Sequence, residues 1–305
     1  MPNLANPDYV TRVNRAIDHV MRNLAEPLLL EDVARAAAFS PFHFHRIFRS
    51  LTGETLASFV KRARLERAVH LLSHRTGTNL TEIALACGFS SSSDFSRCFK
   101  DQYGVPPSVF DADAFRRPLR EAIIEASIPP DLRHRVRDLP IADNPDGFAV
   151  RLRTLPARRV AYIRVTNGYA GGVVAATQHL VDWAESRGLA DGQWLGYQWD
   201  DPEVVPREKC RYDAGVEVPE GVRGDGEVTI AEFEPMQVAE LHIAGTIDVE
   251  LRALQWLYFA WLPRSGFAPA HAPVFEAWNG RPFAHGTSHF DLRLHLPVVD
   301  ATAPF

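Results

Sequence analysis

The stretch Phe39 to Arg49, FSPFHFHRIFR, decides the fold, because the chain writes it a second time, altered, about fifty residues later. Laid over each other, LEDVARAAAFSPFHFHRIFRSLTG (Leu30 to Gly53) and LTEIALACGFSSSSDFSRCFKDQYG (Leu80 to Gly104) match at Leu30/Leu80, Ala34/Ala84, Ala36/Ala86, Phe39/Phe89 and Ser40/Ser90. After one extra residue in the second copy the matches resume at Phe44/Phe95, Arg46/Arg97, Phe48/Phe99, Arg49/Lys100 and Gly53/Gly104. Internal repetition of this kind marks a duplicated supersecondary unit.

Each copy reads as helix, turn, helix. Small residues in the first helix of each copy (Ala34, Ala36, Ala37; Ala84, Ala86) allow a second helix to cross closely. Ser40 before Pro41 is a favourable N-cap followed by proline at the first helical position, and Ser90 or Ser91 can cap the second copy. In the first copy Phe44, Ile47, Phe48 and Leu51 recur at helical spacing and are expected to bury. That leaves Phe42, His45, Arg46 and Arg49 outward. In the second copy Phe95, Cys98 and Phe99 bury, which leaves Ser92, Ser93, Ser96, Arg97 and Lys100 outward. An exposed face of arginine, lysine and small hydrogen-bonding groups suits a DNA major groove, where arginine reads guanine edges and holds phosphates. The bland alternative is a solvated face of a helical bundle. Between the copies, Thr55 to Ser73 reads as one long helix. At ~1.5 Å per residue it spans nearly 30 Å, close to the ~34 Å between successive major-groove faces.

Residues 8 to 113 resemble the AraC/XylS-type DNA-binding domain with its two helix-turn-helix units, and IALACGFSSSSDFSRCFKDQYGVPPSVF resembles that family's signature along its whole length. The resemblance implies reading of double-stranded DNA by Phe42, His45 and Arg46 in the first unit and by Ser92, Ser93, Asp94, Ser96 and Arg97 in the second. It also implies RNA polymerase as a partner. Where multidrug-regulator relatives carry tryptophan or a polar group, this chain has Phe42, so their base preference there does not transfer.

At 305 residues, with 46% hydrophobic and 23% charged residues, the chain has the length and composition of two globular domains. MPNLANPDYV shows no basic segment followed by an apolar run, and no window approaches the ~20 apolar residues of a membrane span. The expectation is therefore a cytoplasmic protein without signal peptide or membrane partner. Three cysteines give no disulfide framework. The net charge of −5 is unevenly spread: residues 1–117 carry +3, and residues 148–305 carry −6. Only the first half has the sign expected of a surface that meets phosphate.

Residues 8–24 carry apolar positions at helical spacing and predict a helix over the first unit. Pro106 and Pro107 are expected to open a short closing helix through Phe115. Residues 116–147, rich in proline, read as a linker with one helix at Leu119 to Ala126. The expected domains are 1–115, this linker, and 148–305.

The second domain also repeats itself. Arg159 to Val165 (RVAYIRV) lies over Gln237 to Ile243 (QVAELHI), and the same offset pairs Trp183 with Trp261 and Gly188 with Gly266. Each half reads strand, helix, strand. The expected strands are Val160 to Thr166 and Val238 to Ala244, with returns at Trp194 to Trp199 and Val274 to Trp278 and further strands at Arg211 to Val218 and His289 to Leu296. Helices are expected over Gly172 to Arg187 and Val249 to Leu262. The fold class is thus multidomain: an all-α double helix-turn-helix domain, then an α+β domain of two strand-helix-strand repeats with a groove between halves.

WLPRSGF (Trp261 to Phe267), HAPVFEAW (His271 to Trp278), DPEVVPREKCRYDAGVEV (Asp201 to Val218) and DLRLHLPV (Asp291 to Val298) make residues 148–300 similar to the GyrI-like, SHS2-type small-molecule-binding domains of multidrug-sensing regulators. With the first domain, the architecture resembles that of Rob-type regulators. On its strand, Glu276 shares a face with Val274 and Trp278. A carboxylate on so apolar a face is costly to bury unless a cation meets it, and aromatic rings beside it would add cation–π attraction. The resemblance places the ligand-contacting carboxylate at Glu276. Tyr162, Tyr197, Trp199, Trp256, Phe259 and Trp278 are the candidate rings, with the ordinary core as the alternative for each. If Leu251, Leu254, Tyr258 and Trp261 face the sheet, Trp256 and Phe259 are left for a second surface. The expected ligand is a small amphipathic molecule, with a cation at Glu276.

Some stand-alone relatives resemble hydrolases with a groove carboxylate as general base, so Glu276 with Tyr197 or Trp199 is the enzymatic alternative. Fusion to a DNA-binding half favours sensing and a non-enzyme. His43/His45 and His285/His289 have the spacing of a pair and nothing more, so neither a metal nor a cofactor is expected. No nucleophile elbow, phosphate loop or CxxC occurs.

Overall fold

The serines and glycines that punctuate the duplicated stretch set the helix ends in the computed structural model, which describes residues 7–74, 79–137, 144–166, 172–284, 286 and 288–302. Helices α1 (Pro7–Arg22), α2 (Leu30–Ala36), α3 (Pro41–Thr52), α4 (Leu56–His74), α5 (Leu80–Ala86) and α6 (Ser92–Tyr103) follow one another in the first half. Ser40 caps α3 by accepting from the His43 amide, and Ser91 caps α6 by accepting from the Asp94 amide. Gly53 and Gly104 close the two helices in the left-handed conformation, at φ 75° and 80°. Phe44, Phe48, Phe95 and Phe99 are fully buried, as the apolar spacing requires. Arg62 braces the long α4, with ion pairs to Glu54 at 2.6 Å and Glu66 at 2.8 Å.

The chain divides into two compact units, one running to Asp113 and including Gly224–Thr229, the other made of Ala114–Arg223 and Ile230 onward. The expected closing helix through Phe115 is instead a single 3-10 turn, Pro107–Val109. Phe110 then turns extended, and Asp111 accepts from the Asp113 amide to start α7 (Ala112–Ser127). Most of the stretch read as linker is thus helical, α7 being joined by α8 (Arg133–Arg137). Both helices pack within the second unit. Ile124, Ile128 and Val136 form an apolar cluster with Leu132, Ile247 and Leu251. Arg116 pairs with Asp201 at 2.9 Å, and Arg120 grips both oxygens of Glu203.

Among the described residues the second unit holds nine strands: β1 (Arg151–Leu155), β2 (Arg158–Thr166), β3 (Trp194–Gln198), β4 (Arg211–Glu217), β5 (Thr229–Phe233), β6 (Met236–Gly245), β7 (Phe267–Pro269), β8 (Val274–Trp278) and β9 (Phe290–Asp300). Helix α9 (Gly172–Glu185) follows β2, and α10 (Ile247–Trp256) follows β6. A π-helical turn, Leu257–Trp261, joins α10 to the short α11 (Leu262–Ser265). The strands run in the order β1-β6-β9-β8-β3-β4-β2-β5, with β7 on β9. The two repeats meet where β3 pairs β8.

Two features were absent from the sequence reading. The first strand of each repeat is exchanged: β1 pairs β6 of the second repeat, and β5 adjoins β2 of the first. In addition, the sheet is rolled. Only Pro156 and Ala157 separate β1 from β2, a reach of ~11 Å, whereas six strand spacings in a flat sheet would set them ~29 Å apart. The ends must therefore approach each other. Phe233 of β5 stacks on Tyr197 of β3 at 4.7 Å, and the Arg158 guanidinium of β2 lies 4.4 Å over Phe275 of β8. The concave face so formed buries Val160, Tyr162, Leu195, Tyr197, Val238, Phe275 and Ala277. Helices α9 and α10 cover the opposite face.

Candidate functional site

In the first unit the apolar faces of α3 and α6 are committed to the core, which fixes what remains outside. On α3, Phe42 is 71% exposed, and His45, Arg46 and Arg49 are exposed beside it. On α6, Ser93, Arg97 and Lys100 are exposed, while Ser92, Asp94 and Ser96 are half-buried. Arg97 donates to Asp94 at 2.6 Å, a solvent-exposed pair whose contribution is ~0–1 kcal/mol. A phosphate or guanine could displace it at little cost. Two short turns hold the helices in place. Ala38 adopts a left-handed conformation, φ 53°, and Arg12 donates to the carbonyls of Ala37 and Ala38. Gly88 occupies the matching position at φ 82°, beside Arg64, which donates to the Leu24 carbonyl.

In the second unit the acid lies where strand parity puts it. Glu276 of β8 faces Gly196 of β3 and Leu294 of β9. One register step along, Gln198 faces Tyr212 of β4. These residues share the helix-covered face. Tyr212 donates its hydroxyl proton to Glu276 Oε2 at 2.8 Å, and Gln198 Nε2 donates to Glu276 Oε1 at 2.7 Å. The same amide nitrogen lies 3.2 Å from Oε1 of Glu250, which reaches down from α10. The two carboxyl groups are in hydrogen-bond contact, and the Trp278 side chain also bonds to Glu276. Both acids are buried, with 5% of each exposed, and among the described residues neither has an ion-pair partner. Burial, reinforced by the charge of Glu276, pushes the Glu250 carboxyl up to about 8. Glu276 is raised by burial as well. The Tyr212 hydroxyl is held well above its ordinary range by burial and by Glu276.

Gly196 makes this contact possible. A Cβ there would overlap the Tyr212 hydroxyl and lie 2.6 Å from Glu276 Oε2.

The other expected ligand residues lie elsewhere. Tyr197 alternates away from Glu276 on β3 and is fully buried on the concave face, as is Tyr162. Trp199 donates to Asp213, whose carboxylate is held by Arg164 on that same concave side. The expected pairing of Glu276 with Tyr197 or Trp199 as a hydrolytic centre is therefore absent, because strand alternation puts them on opposite faces. Trp278 does join Glu276; its ring also meets Phe283 and Phe290. The helix reading needs correction too. Glu250, Ala253, Leu257 and Ala260 are the buried positions that repeat toward the sheet, whereas Leu251 packs on the α7–α8 cluster. Trp256 meets Phe148, and Phe259 lies under the Arg120 guanidinium of α7, so both rings are engaged in packing.

Tyr212, Gln198 and Glu250 went unnoticed in the sequence. A glycine inside the strand pattern WLGYQW was the legible signal, since an interior strand glycine marks close approach by another group. Nothing local reveals which tyrosine approaches. Among the described residues no group of three or more His, Cys, Asp or Glu is placed to hold a metal ion, and none of the helices is long and apolar enough to cross a membrane. His285 lies outside the described residues.

Comparison with known proteins returns the same two parts. A family profile described as a helix-turn-helix domain matches residues 33–113, and one described as a GyrI-like small molecule binding domain matches residues 148–299. The chain is 35% identical over 102 residues to the HTH-type transcriptional regulator YbfP of Bacillus subtilis, covering 33% of this chain and 34% of that protein. It is 36% identical over 102 residues to the transposon Tn10 TetD protein of Escherichia coli, covering 33% of this chain and 73% of that one. It is 27% identical over 139 residues to the transcriptional regulator Rob of Salmonella typhimurium, covering 44% of this chain and 47% of Rob. The match thus spans about a third of YbfP and under half of Rob.

Proposed function

Because the chain belongs to the AraC-type family of helix-turn-helix transcriptional regulators and carries a GyrI-like small-molecule-binding domain, we propose that it regulates transcription by binding a promoter site in duplex DNA, with a small amphipathic cation as its effector. Helices α3 and α6 contact the DNA through Phe42, His45, Arg46 and Arg49 and through Ser92, Ser93, Asp94, Ser96, Arg97 and Lys100. RNA polymerase is the partner on the promoter. The effector enters beside Glu276 beneath α10, with Trp278 and Tyr212 as aromatic walls. It reaches the acid when α10 or its π-helical turn moves aside, since π turns cluster at functional sites.

The observation that carries the ligand class is the pair Glu276 and Glu250, buried together without an ion-pair partner among the described residues. Burying a carboxylate is costly unless a cation compensates it, and a ligand supplies that cation. Titration with tetraphenylphosphonium, followed by quenching of tryptophan fluorescence, tests the reading. Glu276→Gln is expected to lose roughly 10-fold or more in affinity, about 1.4 kcal/mol. Equal affinity in the two proteins would overturn the assignment of Glu276 as counter-ion.

A further inference from the structure

Glu276 alone is the counter-ion of the proposed site, yet the geometry places a second carboxylate against it. Glu276 rises from β8 and Glu250 descends from α10; Gln198 donates toward both, at 2.7 Å and 3.2 Å, and the carboxyl groups touch. Two carboxyl groups at such a distance cannot both ionise without a compensating charge, so they share a proton. The groups that face the pair are the Tyr212 hydroxyl from β4, the Gln198 amide from β3 and the Trp278 indole from β8, all of them neutral. Strand β9 presents Leu292 and Leu294 on this side, and β6 presents Leu241 and Ile243. The charged neighbours on α10 itself, Asp248 and Arg252, are taken up with each other, with Asp146 and with Arg135. Among the described residues nothing nearby carries a positive charge to release the proton.

We propose that Glu250 is a second binding carboxylate of this site and that the pair sets the charge of its ligand: a monocation enters beside one ionised carboxylate and leaves the shared proton in place, while a dication takes both carboxylates and expels that proton to solvent. The inference rests on the reading of Glu276 as a cation site. It adds that charge stoichiometry, and not only aromatic fit, discriminates among ligands. No bond other than O–H is broken; the proton leaves to buffer as the second positive charge arrives, so the occupied site carries no net charge in either case.

Ethidium and propidium separate the two modes, since propidium carries the ethidium ring system with a second positive charge on an alkyl arm. Each is titrated calorimetrically into the full-length protein at pH 7 in two buffers of different ionisation enthalpy, which counts protons released. Ethidium is expected to release none, and propidium about one. Propidium affinity then rises with pH, by up to 10-fold per unit until the pair is ionised, while ethidium affinity stays level over pH 6–8. Glu250→Gln is expected to abolish the proton release, and Glu250→Asp to preserve it, with circular dichroism checking the fold. If both dyes bind and propidium releases no proton, the second carboxylate plays no part and the inference fails while the Glu276 site stands. If neither dye binds the wild-type protein, the cation reading of the site fails with it.

Discussion

A methyl group at position 196 would sit inside the contact that Tyr212 makes with Glu276. The obstacle is the far end of a side chain, so the strand can survive, but the ring must swing away and the hydrogen bond to Glu276 Oε2 must break. Overpacking of this order costs ~1–3 kcal/mol. Gly196→Ala is therefore expected to fold with a lowered denaturation midpoint and to bind tetraphenylphosphonium several-fold more weakly than wild type, whereas Tyr212→Phe loses the hydrogen bond without the crowding and keeps more of the midpoint. Wild-type binding by Gly196→Ala would mean that the Tyr212 hydroxyl does not organise the acid. At this scale the sequence was half legible. Period-two alternation put Glu276 on one face with Val274 and Trp278, the family resemblance marked it as the ligand-contacting acid, and Gly196, an interior strand glycine that signals close approach, went unread. The partners stayed hidden because they arrive from β3, β4 and α10, whose register depends on pairing between distant segments.

The reading helices are the elements the sequence described best. Aromatic residues at i, i+4 spacing fix the buried face, and serine and glycine fix the ends, so the outward residues follow by elimination. Ala38 shows how far such turns are specified. It holds the left-handed conformation that Gly88 holds in the second copy, and Arg12 pins its carbonyl in compensation. An arginine that reads a base contributes ~1–3 kcal/mol, so Arg46→Ala with Arg97→Ala is expected to weaken binding to the cognate promoter by roughly 100-fold in a mobility-shift titration. Loss of a phosphate contact instead would act on all sequences alike and reduce the salt slope by ~1 per arginine. Unchanged affinity would remove both helices from the interface. Helix α10 was read less well. Leu251 was assigned to the sheet, and Trp256 and Phe259 to a second surface, without the layer that α7 and α8 supply, because residues 116–147 had been read as a linker with a single helix.

On the scale of the whole molecule, the repeat offset predicted the order of strands and helices in the second unit but not its closure. Rolling of the sheet and exchange of the first strands are consequences of two-residue links between β1 and β2 and between β5 and β6, and the short strands β1, mostly exposed, and β5, mostly half-buried, carry little apolar signal. Prolines likewise outweighed the apolar spacing of Ile128 and Val136 in residues 116–147, where only a helix at Leu119 to Ala126 was expected, although α7 runs from Ala112 to Ser127 with Pro118 inside it. The packing of that segment gives a test that separates a tether from a structural layer. Ile124→Ala with Ile128→Ala removes two residues that are 2% exposed, and each such truncation costs ~2–5 kcal/mol in a core. All six tryptophans lie between residues 183 and 278, so their fluorescence follows the second unit alone. The doubly substituted full-length chain is expected to melt about ten degrees or more below wild type by that signal, given ~2–4 °C per kcal/mol for a unit of this size. A tether would leave the midpoint where it was, and that outcome would return residues 116–137 to the role of a spacer between the DNA-binding helices and the ligand site.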